Sequence, residues 1–386
     1  FPTRRSSDLL SANIENGFAK GMQYIVTPNA QNVVNDLING FKTGIHSYTI
    51  IGTYGTGKSS FLLALEADLD KKNRSKYLLN PSLLSECTEF EILNIVGDYA
   101  DLSVLLGRKL NREGTSNSVL DELKAYYQRL AKENKFLLLV IDEFGKVLEH
   151  AAKNNPEQEL YFLQKLAEFV NVPSRNILLI TTLHQNFSSY AKSLNEEQRN
   201  EWTKVKGRFK ELVFVEPVEQ LLYLASCQRR GVHTAIEDED IFREIFSLGQ
   251  TTKFLKDTLS YSTAKQLYPL DPFAAFVMTQ AIQRYGQNER SLFSFLAVKG
   301  QGSFSEFKPQ KCMTYNLGIV YDYIIYNFYS TLKDVHFDST SWSVIHSTIV
   351  RAEGLNIWAS QREMCDAIEL VKAVGLLNLF GVASFH

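Results

Sequence analysis

The chain has 386 residues, 45% of them hydrophobic, and a formal charge of −2. That length suits two or three domains with ordinary buried cores, and the balance of charge excludes a strongly basic, nucleic-acid-coating protein while leaving a local basic face open. Four cysteines, Cys87, Cys227, Cys312 and Cys365, stand far apart with no paired spacing, which excludes a disulfide framework and a zinc ribbon. No apolar run approaches the roughly 18 residues a membrane helix needs, and no signal peptide is visible, so a cytoplasmic protein without a membrane partner is expected.

The first nine residues, Phe1-Pro2-Thr3-Arg4-Arg5-Ser6-Ser7-Asp8-Leu9, resemble the translation of a sequencing adapter and are set aside as an artefact. The alternative is a genuine flexible arm. At the other end, Gly375 to Gly381 is an apolar run without a polar cap, and a larger parent protein is expected. The remaining chain divides into 10–216, an α/β domain, 217–300, a helical lid, and 301–386, a helical or winged-helix-like module.

In chain order, Val33, Val34, Leu37, Ile38 and Phe41 recur at helical spacing from Pro28 to about Lys42, and Ser47 to Ile51 is a short β-branched strand. Next comes Gly52-Thr53-Tyr54-Gly55-Thr56-Gly57-Lys58-Ser59, with Ser60 opening a helical pattern. A strand, G-x-x-x-x-G-K-S and a helix form the context of a phosphate-binding loop. Glycines permit the backbone to curl its N–H groups around a polyphosphate, and the helix start aims its dipole at the same point. Lys58 would bridge the β- and γ-phosphates, and the Ser59 hydroxyl would sit on Mg2+. The plain alternative is a glycine-rich turn.

Phe90 to Gly97 reads as a second strand, followed by helical patterns at 102–110 and 119–131. In Phe136-Leu137-Leu138-Leu139-Val140-Ile141-Asp142-Glu143, six apolar residues predict a strand buried on both faces of a parallel sheet. The two carboxylates at its end fit a Walker B pair, with Asp142 in the Mg2+ shell and Glu143 orienting the attacking water. A strand ending in an acidic turn is the alternative. A helix at 156–170 precedes a fourth buried strand at 176–183. At its end Thr182, then Gln185 and Thr181, are candidates to reach a γ-phosphate or the water, against simple polar capping of the strand. His184 is expected to pack or hydrogen-bond rather than catalyse. The basic run Lys204 to Lys210 precedes a fifth strand at 211–215, and Arg208 is a candidate to act on a neighbouring subunit's γ-phosphate; a solvated basic turn and a nucleic-acid contact are the alternatives.

After Pro217 the pattern is helical. Asp271 is the expected N-cap of a helix with Pro272 in its first turn. Arg290 would open a helix at 291–298, where a cation opposes the helix dipole and calls for an anionic partner, a nucleotide phosphate or a carboxylate. Residues 300–309 read as a linker, and Tyr321, Tyr323, Tyr326, Phe328 and Tyr329 as core or interface.

Taken together, the phosphate loop after the first strand, Asp-Glu after the third, polar residues after the fourth, an Arg before the fifth and a helical region with an Arg resemble the AAA+ superfamily over roughly 28–298. The likeness is nearest to its origin-recognition and STAND-like branches. Ile141 to Lys146 and Gln287 to Leu296 also resemble large bacterial AAA-type ATPases of anti-phage defence loci. The resemblance implies a P-loop fold with a five-stranded parallel sheet, ATP and Mg2+ as cofactors, hydrolysis, self-association, a finger role for Arg208 and a nucleotide-sensing role for Arg290. It also implies a further DNA or protein partner. The competing reading is a nucleotide-gated scaffold or DNA-binding switch with little turnover. A small-molecule kinase is disfavoured by the long helical region, a GTPase by the missing guanine-reading N-K-x-D, and an ABC ATPase by the missing L-S-G-G-Q.

Overall fold

A computed structural model describes residues 14, 24–70, 77–87, 89–112, 114–192, 194–229, 235–286, 291–309, 313–334, 336–355 and 357–381. The adapter-like residues 1–9 and the stretch 287–290 with Arg290 lie outside them. Contacts divide the chain between Val215 and Glu216 into two units.

The first unit runs α1 (Pro28–Lys42), β1 (Ser47–Ile51), α2 (Lys58–Leu69), β2 (Glu89–Val96), α3 (Leu102–Lys109), α4 (Ser116–Lys132), β3 (Lys135–Asp142), α5 (Phe144–Lys153), α6 (Pro156–Val170), β4 (Ile177–Leu183), α7 (Glu196–Lys206) and β5 (Lys210–Val213). Its five strands are all parallel, in the order β2-β3-β4-β1-β5. This is the α/β P-loop fold with the five-stranded sheet that the sequence implies.

The buried run of β3 explains the layering. Strand side chains alternate, so Leu137, Leu139 and Ile141 enter one core with α3 to α7, while Phe136, Leu138 and Val140 enter another with α1 and α2. Both faces of β4 are also covered: Ile177 and Leu179 fall in the first core, Leu178 and Ile180 in the second. In this unit sequence periodicity missed two helices. One is α5, which buries Phe144, Val147, Leu148 and Ala151. The other is α7, which buries only Trp202 and Val205 and begins with a capping box between Asn195 and Gln198.

The second unit contains α8 (Val218–Gln228), α9 (Glu239–Thr251), α10 (Tyr261–Leu267), α11 (Pro272–Tyr285), α12 (Leu292–Ala297), α13 (Leu317–Asp334), α14 (His336–Glu353) and α15 (Gln361–Phe380). Asp271 caps α11, accepting from the Phe273 and Ala274 amides at 2.9 and 3.1 Å. Residues on both sides of position 300 share one core, which runs from Leu221 to Phe380. The stretch 300–309, read as a linker, is largely exposed but is anchored in that core by Phe304, which is buried and packs against Phe295 and Tyr315. Tyr315 in turn exchanges backbone hydrogen bonds with Pro269 and Asp271. Among the described residues the region after 313 is helical, without paired strands of a winged helix. Tyr321, Tyr323 and Phe328 are core residues, whereas Tyr326 and Tyr329 are exposed.

One buried acid in the sheet unit opposes stability. Glu66 of α2 accepts from Asn94 Nδ2 of β2 at 2.9 Å, but among the described residues Glu66 Oε1 and Asn94 Oδ1 both lack a partner. Burial, reinforced by the charge of Asp142, pushes the Glu66 carboxyl up to about 7. The folded chain thus keeps a proton that the unfolded chain releases from about pH 4.5 upward, so stability falls as pH rises between about 4.5 and about 7. Glu66→Gln removes this titration and supplies a donor. Its expected effect is a gain of about 1–2 kcal/mol above pH 7 that disappears below pH 4.5 in urea melts at several pH values.

Candidate functional site

The C-terminal edge of a parallel sheet is where loops converge, and here the loops after β1, β3 and β4 meet. The loop after β1 is shaped by its glycines. Gly55 and Gly57 have φ of 74° and 91°, and Gly57 is the N-cap of α2. At Gly52 the constraint is space: a Cβ would lie 2.2 Å from the Phe214 carbonyl oxygen and 3.0 Å from Thr56 Oγ1. Thr56 Oγ1 donates to the Thr53 carbonyl at 2.9 Å, which closes the curl.

Lys58 folds back over this loop and donates from Nζ to the carbonyls of Gly52 at 2.5 Å and Thr53 at 3.0 Å. Burial lowers its pKa to about 8, against the opposing pull of Asp142 and Glu143. The ammonium is thus held in a poorly solvated position next to two carboxylates, short of the anionic charge that would repay its burial.

Asp142 is the meeting point. Its Oδ2 accepts from Ser59 Oγ at 2.7 Å, while its Oδ1 accepts from Thr182 Oγ1 at 2.5 Å and from the Glu143 amide at 3.0 Å. The Glu143 amide also donates to Thr182 Oγ1 at 3.0 Å. Ser59 comes from α2, Asp142 from β3 and Thr182 from β4, so the three elements are tied through one carboxylate. Glu143 itself sits in the left-handed region, with φ 54° and ψ 33°, a strained conformation for a side chain larger than Gly. Its Oε2 lies 2.5 Å from Lys146 Nζ, and both side chains are about half exposed.

The three candidates after β4 separate. Thr182 is buried with its hydroxyl committed to Asp142 and Glu143. Thr181 faces β1, bonding Thr49 Oγ1 at 2.9 Å and the Tyr48 carbonyl at 3.2 Å, and takes no part in the site. Gln185 is exposed. His184 packs, as its solitary position suggests: its ring stacks on Tyr54 of the loop.

Arg208 lies elsewhere. It precedes β5, and its carbonyl accepts from Ser47 Oγ at the start of β1, the sheet edge opposite the loop. Its guanidinium pairs with Glu168 at 2.8 Å. Lys204 and Lys206 are likewise paired, with Glu201 at 2.5 Å and Glu211 at 3.5 Å, so the run is not a bare basic patch. Arg290 is outside the described residues.

Sequence reasoning missed Gly97, just past β2. A Cβ there would lie 2.4 Å from the Glu143 carbonyl oxygen, and its amide donates to the Asp142 carbonyl at 2.7 Å. A lone glycine after a strand was the only available sign.

No family model and no curated protein matches the chain. Among solved structures, PCH-2 of C. elegans is 14% identical with a TM-score of 0.37, covering 74% of this chain and 65% of that one. The Aeropyrum pernix ORC2 protein in ADPNP–ADP complexes is 14% identical with a TM-score of 0.39, covering 77% and 85%. Its ADP form gives 16%, 0.35, 72% and 69%. The chain thus spans 65% of the PCH-2 chain's length. At these scores the likenesses are of outline only, and no residue's role is taken from them.

Thr182→Val deletes the hydroxyl that both donates to Asp142 and accepts from the Glu143 amide. The expected loss is about 1–3 kcal/mol in a denaturant melt, with Thr182→Ser keeping most of the stability.

Proposed function

We propose that this chain is an ATP-binding and ATP-hydrolysing module of the AAA+ type, which turns nucleotide state into a conformational change or an assembly step of a larger protein. The observation that carries the reading is the convergence of Lys58 and Ser59 from a glycine-curled loop with Asp142 from β3 at one end of the sheet.

The residues fit the ligand chemically. Gly52, Thr53, Tyr54, Gly55, Thr56, Gly57, Lys58, Ser59 and Ser60 form a loop and helix start rich in N–H donors, and the half-desolvated Lys58 calls for anionic charge. Lys58 would hold the β- and γ-phosphates. Ser59 and Asp142 would hold Mg2+, which supplies charge neutralisation when bound. Glu143, beside Asp142 and turned by its left-handed backbone, would orient the attacking water. Thr182 is a positioning residue in this scheme, acting through Asp142 and the Glu143 amide rather than on a phosphate.

Arg208 fits only action in trans, because it lies at the far edge of its own sheet; on this reading the chain self-associates and Arg208 exchanges Glu168 for a neighbour's phosphate. Arg290 is proposed as the nucleotide-sensing residue on the sequence resemblance alone. A role in anti-phage defence rests on the resembling runs of sequence, a DNA or protein partner on the wider resemblance, and a cytoplasmic setting on the unpaired cysteines and the lack of a long apolar run. The second reading, a nucleotide-gated switch with little turnover, is favoured by the Glu143–Lys146 pair, which occupies the carboxylate that hydrolysis needs.

Lys58→Ala should abolish ATP binding in a titration calorimeter, and tight binding by that variant would overturn the assignment. Glu143→Gln should keep ATP binding while turnover falls by about 100-fold or more; unchanged turnover would remove Glu143 from the mechanism, and undetectable turnover in the wild type with intact binding would favour the switch. Bound phosphate stabilises the charged form of Lys58, whose ligand-free pKa is lowered to about 8. Affinity should therefore be flat below about pH 8 and weaken above it by up to about tenfold per pH unit, an effect absent in Lys58→Arg.

A further inference from the structure

The loop after β1 and the turn holding Glu143 are joined by more than Asp142. Tyr54, at the tip of the loop, stacks on the ring of His184 with centroids 4.5 Å apart and planes 24° from parallel. His184, the first residue after β4, meets the Tyr190 ring edge to face at 5.7 Å, and the Tyr190 hydroxyl lies 3.2 Å from His184 Nε2. Both side chains press on the start of α5. A Cβ on Gly145, two residues after Glu143, would lie 2.4 Å from the Tyr190 hydroxyl and 3.0 Å from His184 Cε1. Only a glycine leaves room for that approach.

The imidazole at the centre is neutral at ordinary pH. Burial pushes its pKa down to about 4, with Lys58 adding to the effect. Lys58 of α2 acts on the ring itself, Glu143 at the N-cap of α5 and Glu149 within α5 act on Tyr54, and Glu149 acts on Tyr190. A neutral ring that far below its ordinary titration range is a poor acid–base group and a good packing surface.

The loop also has a defined reason to move. Lys58 Nζ now occupies the carbonyls of Gly52 and Thr53, the two residues before Tyr54. A polyphosphate that drew Lys58 away would release those carbonyls and free the adjoining backbone of Tyr54 to shift with its ring.

We propose that His184 is a positioning residue that carries displacement of the phosphate loop to the Glu143 turn, through the Tyr54 ring against its face and Tyr190 and Gly145 at its edge. The inference rests on the reading of the loop as an ATP site. Filling the loop then alters the attitude of Glu143 without His184 touching either nucleotide or water.

The test uses the full chain and measures ATP affinity by titration calorimetry, ATP turnover, and thermal melting for His184→Ala, His184→Phe, Tyr54→Ala and the double variant with both alanines. His184→Ala should lose about 10- to 100-fold in kcat, the scale expected of a misplaced catalytic group. Its ATP affinity should shift by less than about threefold. His184→Phe, which retains a ring on Tyr54, should stay within about threefold of wild-type turnover. Tyr54→Ala should match His184→Ala in kcat, and the double variant should lose no more than either single, as expected for two residues in one linkage. Tyr54 is a partly exposed loop residue, so this arm stands if His184→Ala melts early.

Wild-type kcat in both alanine variants overturns the proposal. So does a double variant whose loss is the product of the singles, and so does a His184→Phe defect equal to that of alanine. A wild type that binds no ATP overturns the nucleotide assignment and the inference with it, a result the affinity measurement separates from all the others.

Discussion

The Asp142 carboxylate holds the loops at the C-terminal edge of the sheet together. A buried carboxylate is costly unless its lone pairs are taken, and here a serine, a threonine and a backbone amide take them. Because those donors come from α2, β4 and the residue after β3, satisfying one charge fixes three elements relative to one another. The Glu143 amide reaches both Asp142 and Thr182, which helps hold that residue in a conformation it would not choose alone. Stability and the proposed chemistry thus draw on the same hydrogen bonds.

Much of this was legible beforehand, for reasons that differ by residue. The six-residue apolar run before Asp142 suits a strand covered on both faces, and the loop before Lys58 takes positive φ at Gly55 and Gly57, a conformation open to glycine and rarely adopted by other residues. Periodicity failed where burial is slight or interrupted. Helix α7 buries only Trp202 and Val205, so its apolar signal is faint and its capping box was the better sign. Helix α5 begins immediately after a strained residue and carries Gly145 near its start, so its pattern is lost in the motif that precedes it. The approach of Tyr190 to Gly145 pairs residues distant in sequence, and a single sequence contains no trace of it. Thr181 and Thr182 are adjacent and chemically alike, and strand alternation alone sends one to β1 and the other to Asp142.

The helical unit shows how composition misleads. Residues 300–309 contain Gly, Ser and Pro and read as a connection, yet Phe304 sits in a cluster of rings with Phe295 and Tyr315. One buried aromatic contributes more to placement than several small polar neighbours take away. The core is continuous from α8 to α15, and Tyr285 extends it by accepting from Trp342 Nε1 at 3.2 Å and donating to Asp338 at 2.7 Å.

Gly97 bears on fidelity of folding. Strand β2 lies at the sheet's edge, pairs only with β3, and has most of its side chains only partly buried, so its hydrophobic pattern specifies alignment weakly. A slip of one residue along β3 would bring Val96 or Asp98 to the place where the Glu143 carbonyl leaves no space for a Cβ. The missing methyl at position 97 therefore acts as a registration mark: the native pairing of β2 with β3 sets the one position without a Cβ against the Glu143 carbonyl, and a one-residue slip does not.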